Sequence, residues 1–467
     1  KARLKGPVVQ RIIAISGLTW KAAIRFRLFL VVAVLLVLAV AGLPLVIESD
    51  GTARGFAEII LTYTLSVTTA LLGLCTLWLA CGTLARDIEE CQMQVVASKP
   101  VARWQIWIGK WLGIVTLDAA LLILTGGCIY GLMEWRAASL PAAEQKNLRE
   151  QVLVARGAAS PPGVQAEIED RTAQILAERL KQNPGLANLS EADKADVVNQ
   201  IRSQVESGFE LVPPGYSRQW RIHLGVAKDF LRNKPMQLKI KFNSAGSPYI
   251  SYSGYFAVGD PTTGNNWQSG LMTGLAPGHF HEFSIPANLF DTNGIVNIVF
   301  SNPNDTALLF PTTDGIQVLY PEGGFAMNFA RALGVIFCWM ALLAALGLAA
   351  ASFLSFPVAA FVSLSLLLIA FSSGTLFDAV AMSGFGSSPN EVSIGDRILI
   401  PLFKGILAVT DLTHTVSPID RLSTGYAISW TTLGVTFLRV VLVLGGVLAV
   451  AGIAMFYRRE LAAAQSQ

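Results

Sequence analysis

The segment from Leu28 to Ile47 reads LFLVVAVLLVLAVAGLPLVI and contains no charged side chain. A helix needs about 20 mostly apolar residues to cross the hydrocarbon core of a bilayer, and this segment has that length. It is too long for the apolar part of a secretory signal peptide, and no small-residue cleavage site precedes Glu48. We therefore interpret it as a retained membrane helix.

The composition of the whole chain also indicates a membrane protein. Of its 467 residues, 52% are hydrophobic and 14% are charged, whereas soluble globular domains carry about 25% charged residues. The net charge of +3 is small, and no run of basic residues alternates with aromatic ones, so nothing indicates nucleic-acid binding. Six apolar segments are candidates for transmembrane helices: 28–47, 56–84, 105–133, 326–353, 357–383 and 428–457.

Lysine and arginine residues predict which loops face the cytoplasm, because cytoplasmic loops of membrane proteins collect positive charge. These residues cluster before the first span, between spans two and three, and after the last span. We therefore expect a multi-pass protein of a bacterial inner membrane, with both termini cytoplasmic and residues 134–324 extracytoplasmic. The stretch 1–27 mixes basic and apolar residues, which predicts an amphipathic helix in the membrane interface, or else a basic flank of the first span.

A polar block separates spans one to three (28–133) from spans four to six (325–467) and has two parts. Residues 134–215 are charged, with apolar residues near helical spacing, which predicts helices. Residues 216–324 change to a period of two, with turn signals such as NSAG and DTNG between the apolar runs. Short strands at this spacing predict a β-sandwich of jelly-roll type.

Several side chains could carry chemistry. Asp118 and Asp378 lie within or at the edge of spans, where an acid is a candidate substrate or proton site, or else bonds to a neighbouring helix. In the sandwich, Trp220, Tyr252 and Trp267 are candidates for a ligand surface that stacks sugars or docks another protein, unless these rings fill the core.

No catalytic residue and no metal site is predicted for this chain. His279 and His281 would point to the same face of one strand, but no third ligand is evident. The five cysteines form no CxxC pair and none lies in the polar block.

The segment from residue 86 to residue 113 reads RDIEECQMQVVASKPVARWQIWIGKWLG and predicts a docking element. Asp87 and Glu89 favour the start of a short cytoplasmic helix at about 87–98, because helix N-termini attract negative charge. Lys99 and the following proline would end that helix. A short amphipathic helix that presents one face to the cytoplasm is a natural docking site for a soluble partner.

This segment resembles the ABC-2 type permeases, in the subgroup that includes the copper-enzyme-maturation and sodium-export permeases. The family pattern is approximately E-x-E-x-G-T-x-x-x-x-x-x-P-(V/I)-x-R-x-x-x-x-x-G-K, in which Cys91 and Gln92 replace the Gly-Thr pair here. The terminal FYRRELA is also similar, and the resemblance covers roughly 7–133 and 326–463. The matching residues of the pattern are Glu90, Pro100, Val101, Arg103, Gly109 and Lys110.

The resemblance implies a six-helix fold like that of type V exporters, with the α + β-sandwich block as an extracytoplasmic insert. Two such permeases, identical or homologous, would pair with two ATP-binding subunits that hold ATP and Mg. The short helix would enter a cleft on the ATPase, and short helices at about 384–423 would form an outer gate. The implied coupling residues are Asp87, Ile88, Glu89, Glu90, Gln94, Lys99 and Arg103.

The sequence therefore predicts a permease subunit that exports or extracts a substrate with a partner's ATP hydrolysis. It has no GxxxxGK(S/T) loop of its own for nucleotide. The alternative is a membrane-anchored scaffold whose outer domain binds an envelope protein or glycan and whose spans transmit force without a passage. The expected partners are the lipid bilayer, an ATP-binding subunit and a second permease, with a periplasmic or envelope protein as a further candidate.

Overall fold

The computed structural model describes residues 8–25, 28–46, 53–90, 101–151, 153–183, 191–260, 265–371 and 417–459. The chain divides into two compact units. One, the helical unit, comprises Lys1–Ala155 and Gly323–Gln467, and the other, the sandwich unit, comprises Arg156–Glu322.

The described residues in the first part of the helical unit form five helices. Two of them, α3 and α4, are long and apolar enough to cross a membrane, over Ile60–Glu89 and Arg103–Ala138. The five are α1 (Val8–Arg25), α2 (Leu28–Val46), α3 (Ala53–Glu89), α4 (Arg103–Ala138) and α5 (Ala142–Gln151).

The part of the chain between the two halves of the helical unit is rich in strands. Its helices are α6 (Gln165–Gln182), α7 (Glu191–Glu210) and the single turn α8 (Lys228–Leu231). Its strands are β1 (Val154–Ala159), β2 (Leu211–Val212), β3 (Ser217–His223), β4 (Met236–Lys241), β5 (Asn243–Ser244), β6 (Tyr252–Asp260), β7 (Asn265–Leu275), β8 (Phe280–Ile285), β9 (Ile295–Ser301), β10 (Leu308–Leu309) and β11 (Ile316–Gly324).

Two four-stranded sheets, with strand orders β1-β11-β4-β8 and β3-β9-β6-β7, contribute to one hydrophobic core, and β2-β10-β5 forms a small third sheet. Alternate residues of β9 are buried, as a period of two requires. The Phe300 ring of β9 lies 4.9 Å from that of Phe256 in β6, and the Phe256 ring lies 6.0 Å from that of Phe283 in the other large sheet. The β-rich domain that the sequence predicts is therefore present.

Two strands lie where the sequence predicts helix, β1 and the two-residue β2 (Leu211–Val212). β1 falls inside the region 134–215, in the alanine-rich stretch VARGAA, and joins the edge of a sheet next to β11. A side-chain carbon at Gly157 would lie 2.4 Å from the ring of Tyr320, so glycine leaves room for that ring. Pairing with a strand that is distant in sequence decides this conformation, and no local periodicity reveals it.

The second part of the helical unit begins directly after β11. It contains α9 (Phe325–Ala351), α10 (Phe356–Phe371), α11 (Pro418–Ser423), α12 (Trp430–Thr436), a π-helical turn at Phe437–Leu444 and α13 (Gly445–Arg458). Residues 372–416, with Asp378 and most of the predicted helices at 384–423, lie outside the described residues.

Four helices of the described chain could therefore cross a membrane, since Phe325–Ala351 and Trp430–Arg458 join the two named above. The other two predicted spans correspond to α2 and α10. Their apolar described parts, Val31–Leu43 and Phe356–Ile369, are shorter than the four long helices.

Small residues let the helices of this unit approach closely. A carbon added at Gly347 of α9 would lie 2.6 Å from Ala80 of α3, and one at Gly452 of α13 would lie 2.9 Å from Ala349 of α9. Close backbone contact through small residues is the usual way in which membrane helices pack, because lipid provides no hydrophobic drive between them.

The amphipathic helix α1 packs along α4. A carbon at Gly109 would lie 2.7 Å from Ile15, and one at Gly113 would lie 2.7 Å from Thr19, so the spacing G-x-x-x-G provides the groove for α1. The indole N–H of Trp20 donates to Thr116 Oγ1 at 2.9 Å. The predicted interfacial helix is thus fixed to one side of a long apolar helix.

Candidate functional site

One end of the helical unit gathers the C-terminal ends of α3, α9 and α13 and the N-terminal ends of α4 and α10. Among the described residues, five side chains join these ends by hydrogen bonds. We call this group the helix-end cluster; its members are Asp87, Glu89, Arg103, Lys110 and Arg459.

Lys110 joins α4 to the end of α3. Its Nζ donates to Asp87 Oδ2 at 2.6 Å and to the carbonyl oxygen of Thr83 at 2.7 Å. The side chain of Lys110 is 9% exposed and that of Asp87 is 32% exposed. The ammonium group is therefore nearly removed from solvent and depends on these two acceptors.

Two arginines cap the C-terminal ends of helices. Arg103 Nη1 donates to the carbonyl oxygens of Phe456 at 2.7 Å, Tyr457 at 2.9 Å and Arg459 at 2.9 Å. Arg459 Nη1 in turn donates to the carbonyls of Ala351 at 3.2 Å and Leu354 at 3.3 Å. The last carbonyls of a helix lack intrahelical partners and carry partial negative charge, so guanidinium groups stabilise both ends.

Glu89 connects α3 to the start of α10. Its Oε1 accepts a hydrogen bond from the backbone N–H of Phe356 at 3.0 Å. The guanidinium of Arg86 lies 4.5 Å from the centre of the Phe356 ring, and Trp78 contacts that ring edge-on at 5.1 Å. A carboxylate at the first residue of a helix is favourable because N-terminal N–H groups are unpaired there.

The start of the predicted coupling helix differs from the expectation. Asp87, Ile88 and Glu89 form the last turn of α3 instead of the first turn of a separate helix, and Glu90 follows as an exposed turn residue. Acids are unfavourable at a helix C-terminus. Here Lys110 compensates for Asp87, and the N-terminus of α10 compensates for Glu89, which are tertiary contacts that the sequence alone does not reveal.

Of the remaining predicted coupling residues, one lies in the helix-end cluster and two lie outside the described residues. Arg103 is the first residue of α4 and a member of the helix-end cluster. Gln94 and Lys99 lie outside the described residues. Three positions of the resemblance pattern thus have direct structural roles: Arg103 caps α13, Gly109 admits α1, and Lys110 pairs with α3.

Asp118 lies in the interior of the helical unit and is 4% exposed. Its Oδ1 accepts a hydrogen bond from Thr76 Oγ1 at 2.9 Å, which joins α4 to α3. Its Oδ2 has no hydrogen-bond partner among the described residues. The acid faces the bundle interior, and its one hydrogen bond to a described residue joins it to a neighbouring helix.

The three aromatic residues predicted for a ligand surface differ in exposure. Tyr252 is 4% exposed; its hydroxyl accepts from Ser244 Oγ at 2.7 Å and donates to the Ser247 carbonyl at 2.9 Å. Trp220 and Trp267 are half-buried and pack against the sandwich core. All three rings therefore contact the sandwich core. Which side of a strand faces the core depends on strand register, which the sequence alone does not give.

A different surface is exposed on the sandwich unit. The outward side of the β3-β9-β6-β7 sheet carries hydroxyl and amide groups together with Arg221, and none of its described side chains is acidic. Ser217 Oγ and Ser301 Oγ are 2.7 Å apart, and Gln219 Nε2 donates to Asn297 Oδ1 at 3.3 Å. Tyr255 is 44% exposed beside Ser301. The alternating sequences of β3 and β9 show which residues share one side of each strand. The pairing register of the two strands is needed to bring those residues together on one face.

The histidine pair also differs from the expectation, because His279 precedes β8 and only His281 lies on that strand. His281 Nε2 is 2.9 Å from the Ala276 carbonyl, and its ring stacks on Phe242. In the described part of the chain no three His, Cys, Asp or Glu side chains are placed to hold a metal.

No protein-family model matches the chain, and no curated protein matches it at a significant level.

Proposed function

We propose that the chain is the membrane-spanning permease subunit of an ABC transporter, which couples ATP hydrolysis by a separate subunit to the export or extraction of a substrate. The helix-end cluster carries this proposal. It lies where α3 ends and α4 begins, and residues 91–100 connect these two ends.

The bonds of the cluster suit a coupling device. Hydrogen bonds in which one partner is charged are shorter and stronger than bonds between neutral groups. They therefore hold the helix ends in one geometry. A partner that pushes on residues 91–100 would displace α3 and α4 at their anchored ends. Arg103 and Glu89 would then transfer the displacement to α13 and α10. Packed helices move as rigid elements in such transitions.

The proposal includes six spans in a bacterial inner membrane, with both sequence ends and the helix-end cluster on the cytoplasmic side. The apolar helices α2 and α10 support the two further spans. A second permease, identical or homologous, and two ATP-binding subunits that hold ATP and Mg complete the assembly. Asp118 is the acid in the described interior that a substrate or proton would meet.

The proposal also assigns the sandwich to the jelly-roll type, outside the membrane. The order of the eight strands in the two large sheets supports it. In chain order the first strand neighbours the eighth (β1 and β11), the second the seventh (β3 and β9), the third the sixth (β4 and β8), and the fourth the fifth (β6 and β7). This nesting is that of one long hairpin rolled into two sheets.

Site-specific crosslinking tests the coupling proposal. A Glu90→Cys variant in a chain without its native cysteines should crosslink to an ATP-binding subunit in membranes that contain the complex. Glu144→Cys, on the exposed side of α5, is the matched control and should not. Failure of any ATP-binding subunit to copurify, or equal crosslinking at both positions, would refute the proposal.

A scaffold function remains the second candidate, and the polar exposed face of the β3-β9-β6-β7 sheet, which carries Arg221 and no described acidic side chain, favours it. Hydroxyl, amide and aromatic groups can bind a glycan or an envelope protein without charge pairing. If this is the main function, Tyr255→Ala with Leu271→Ala should abolish retention of the envelope partner. The rate of ATP hydrolysis by any associated subunit should then be the same with and without the envelope partner.

A further inference from the structure

The last long helix of the helical unit, formed by α12, the π-helical turn and α13, is less covered than the others. Only 28% of its most apolar 18-residue stretch is buried, against 50% to 61% for the corresponding stretches of the other three long helices. Its exposed side carries large apolar residues over its whole length. They include Val435, Leu438, Leu442, Val443, Val447 and Val450.

Arg439 lies within this apolar side. It is exposed, and it makes no hydrogen bond or ion pair with any residue that the structure describes. It belongs to the π-helical turn Phe437–Leu444. Such turns are rare and are often found at functional sites, since the wider turn changes the direction of the side chains on it.

The depth of Arg439 follows from the position of Trp430. That indole is 63% exposed, and the guanidinium of Arg331 lies 5.5 Å from its ring, as expected at a membrane interface. Arg439 follows Trp430 by nine residues, which is roughly 13 Å along a helix. The hydrocarbon core is about 30 Å thick, so Arg439 lies near its middle, too deep for its side chain to reach the headgroups easily.

We propose that this side of the last helix binds a transmembrane helix of another polypeptide, which places an Asp or Glu opposite Arg439. A cation at the bilayer centre is costly and is almost always paired. The carboxylate is the complementary group, and the apolar residues around Arg439 supply the packing surface. This inference is independent of the coupling function proposed above.

A second copy of this chain is a poor occupant on grounds of charge. A two-fold interface brings the same surface of both copies together, so Arg439 would meet a like charge. Among the described residues the acid at a comparable depth is Asp118, which lies on α4 and is 4% exposed. It is not available to a neighbouring copy.

Photocrosslinking in native membranes tests this proposal. A photoreactive amino acid at Leu442, which is 55% exposed, should yield an adduct with a second polypeptide, whereas one at Phe361 of α10, 72% exposed, should not. Arg439→Leu should lower the yield by about tenfold, the change expected for loss of a polar interhelical contact, and Arg439→Lys should retain most of it. Comparable expression and monodispersity of both variants exclude misfolding as the cause.

The adducted peptide decides the outcome. The proposal is supported when that peptide comes from a span of another protein that contains Asp or Glu, and when exchanging that acid for Arg in combination with Arg439→Glu restores the yield. It is overturned by adducts with a second copy alone, or by an unchanged yield in Arg439→Leu. It is also overturned by an adduct within the same chain that Asp378→Asn abolishes.

Discussion

Lys110 illustrates how one side chain can hold two helices together. Its ammonium group has Asp87 and the Thr83 carbonyl as acceptors, and little water reaches it. A cation in this position stabilises the helix end only while both acceptors remain, because an unpaired partner loses its hydration without compensation.

Replacing this lysine should therefore destabilise the helical unit. Lys110→Met leaves the Asp87 carboxylate beside an apolar chain, and we expect a loss of about 1–3 kcal/mol, moderated because Asp87 is partly exposed. Thermal unfolding in detergent, followed by tryptophan fluorescence, measures it. The double variant Lys110→Met with Asp87→Leu should recover part of the loss. A double variant that shows the sum of two independent losses would contradict the pairing.

Glu210 has a different environment, at the end of α7 in the sandwich unit. Burial raises the pKa of its carboxyl group, while the hydrogen bond from the Thr312 backbone N–H and the nearby Arg218 oppose the rise. Since the pKa is higher in the folded state, the protonated form is the one that folding favours. The ionised carboxylate therefore reduces stability at neutral pH.

Glu210→Gln should raise the stability of the sandwich unit at pH 7 to 8, because the amide oxygen can still accept from Thr312. The gain should be below about 1 kcal/mol, since the carboxyl group is partly solvated. It should shrink as the pH falls through the raised pKa of Glu210 and past the ordinary value of 4.5. Melting temperatures at several pH values test this. A gain that does not depend on pH, or an equal gain from the exposed Glu178→Gln, would contradict it.

At the scale of helices, the contact between α1 and α4 depends on two glycines. Gly109 and Gly113 face Ile15 and Thr19 so closely that a methyl group has no space. The amphipathic pattern of the sequence predicts that α1 lies in the membrane interface. The pattern does not identify the glycine pair of α4 as its groove.

Gly113→Ala should displace α1 from α4 and cost about 1–3 kcal/mol, the usual range for overpacking. Hydrogen–deuterium exchange should increase along Val8–Arg25, and the melting temperature should fall. Gly131 lies on the same helix with nothing within 4 Å of an added carbon. Gly131→Ala is thus the matched control and should be neutral or slightly stabilising. Equal exchange in the two variants would show that α1 does not depend on this groove.

Elements with a strong local pattern are those that the sequence predicts well. The long apolar runs correspond to α3, α4, α9 and the last helix, and the alternation in Met236–Lys241 corresponds to β4. The continuation of α3 through Asp87–Glu89 and the burial of Tyr252 depend on tertiary contacts. Charge alone predicts a helix start at Asp87, because the compensating Lys110 contact becomes visible only in three dimensions.

At the scale of the whole molecule, orientation in the membrane is the feature that everything else depends on. Tyr249 of the sandwich unit is 95% exposed, so a cysteine there is accessible to reagent. In a chain without native cysteines, Tyr249→Cys should react with a membrane-impermeant thiol reagent in intact cells. Glu90→Cys should react only after permeabilisation. The reverse pattern would invert the topology and remove the cluster from the side on which ATP is present.

The central claim is that a nucleotide-binding partner acts on the segment between α3 and α4, where the helix-end cluster joins the spans. The most direct test is a cryo-EM structure of the complex purified from native membranes with a non-hydrolysable ATP analogue. The account predicts an ATP-binding subunit in contact with residues 86–103, next to Arg103 and Glu89. A complex without such a subunit, or one that touches this chain only elsewhere, would contradict it.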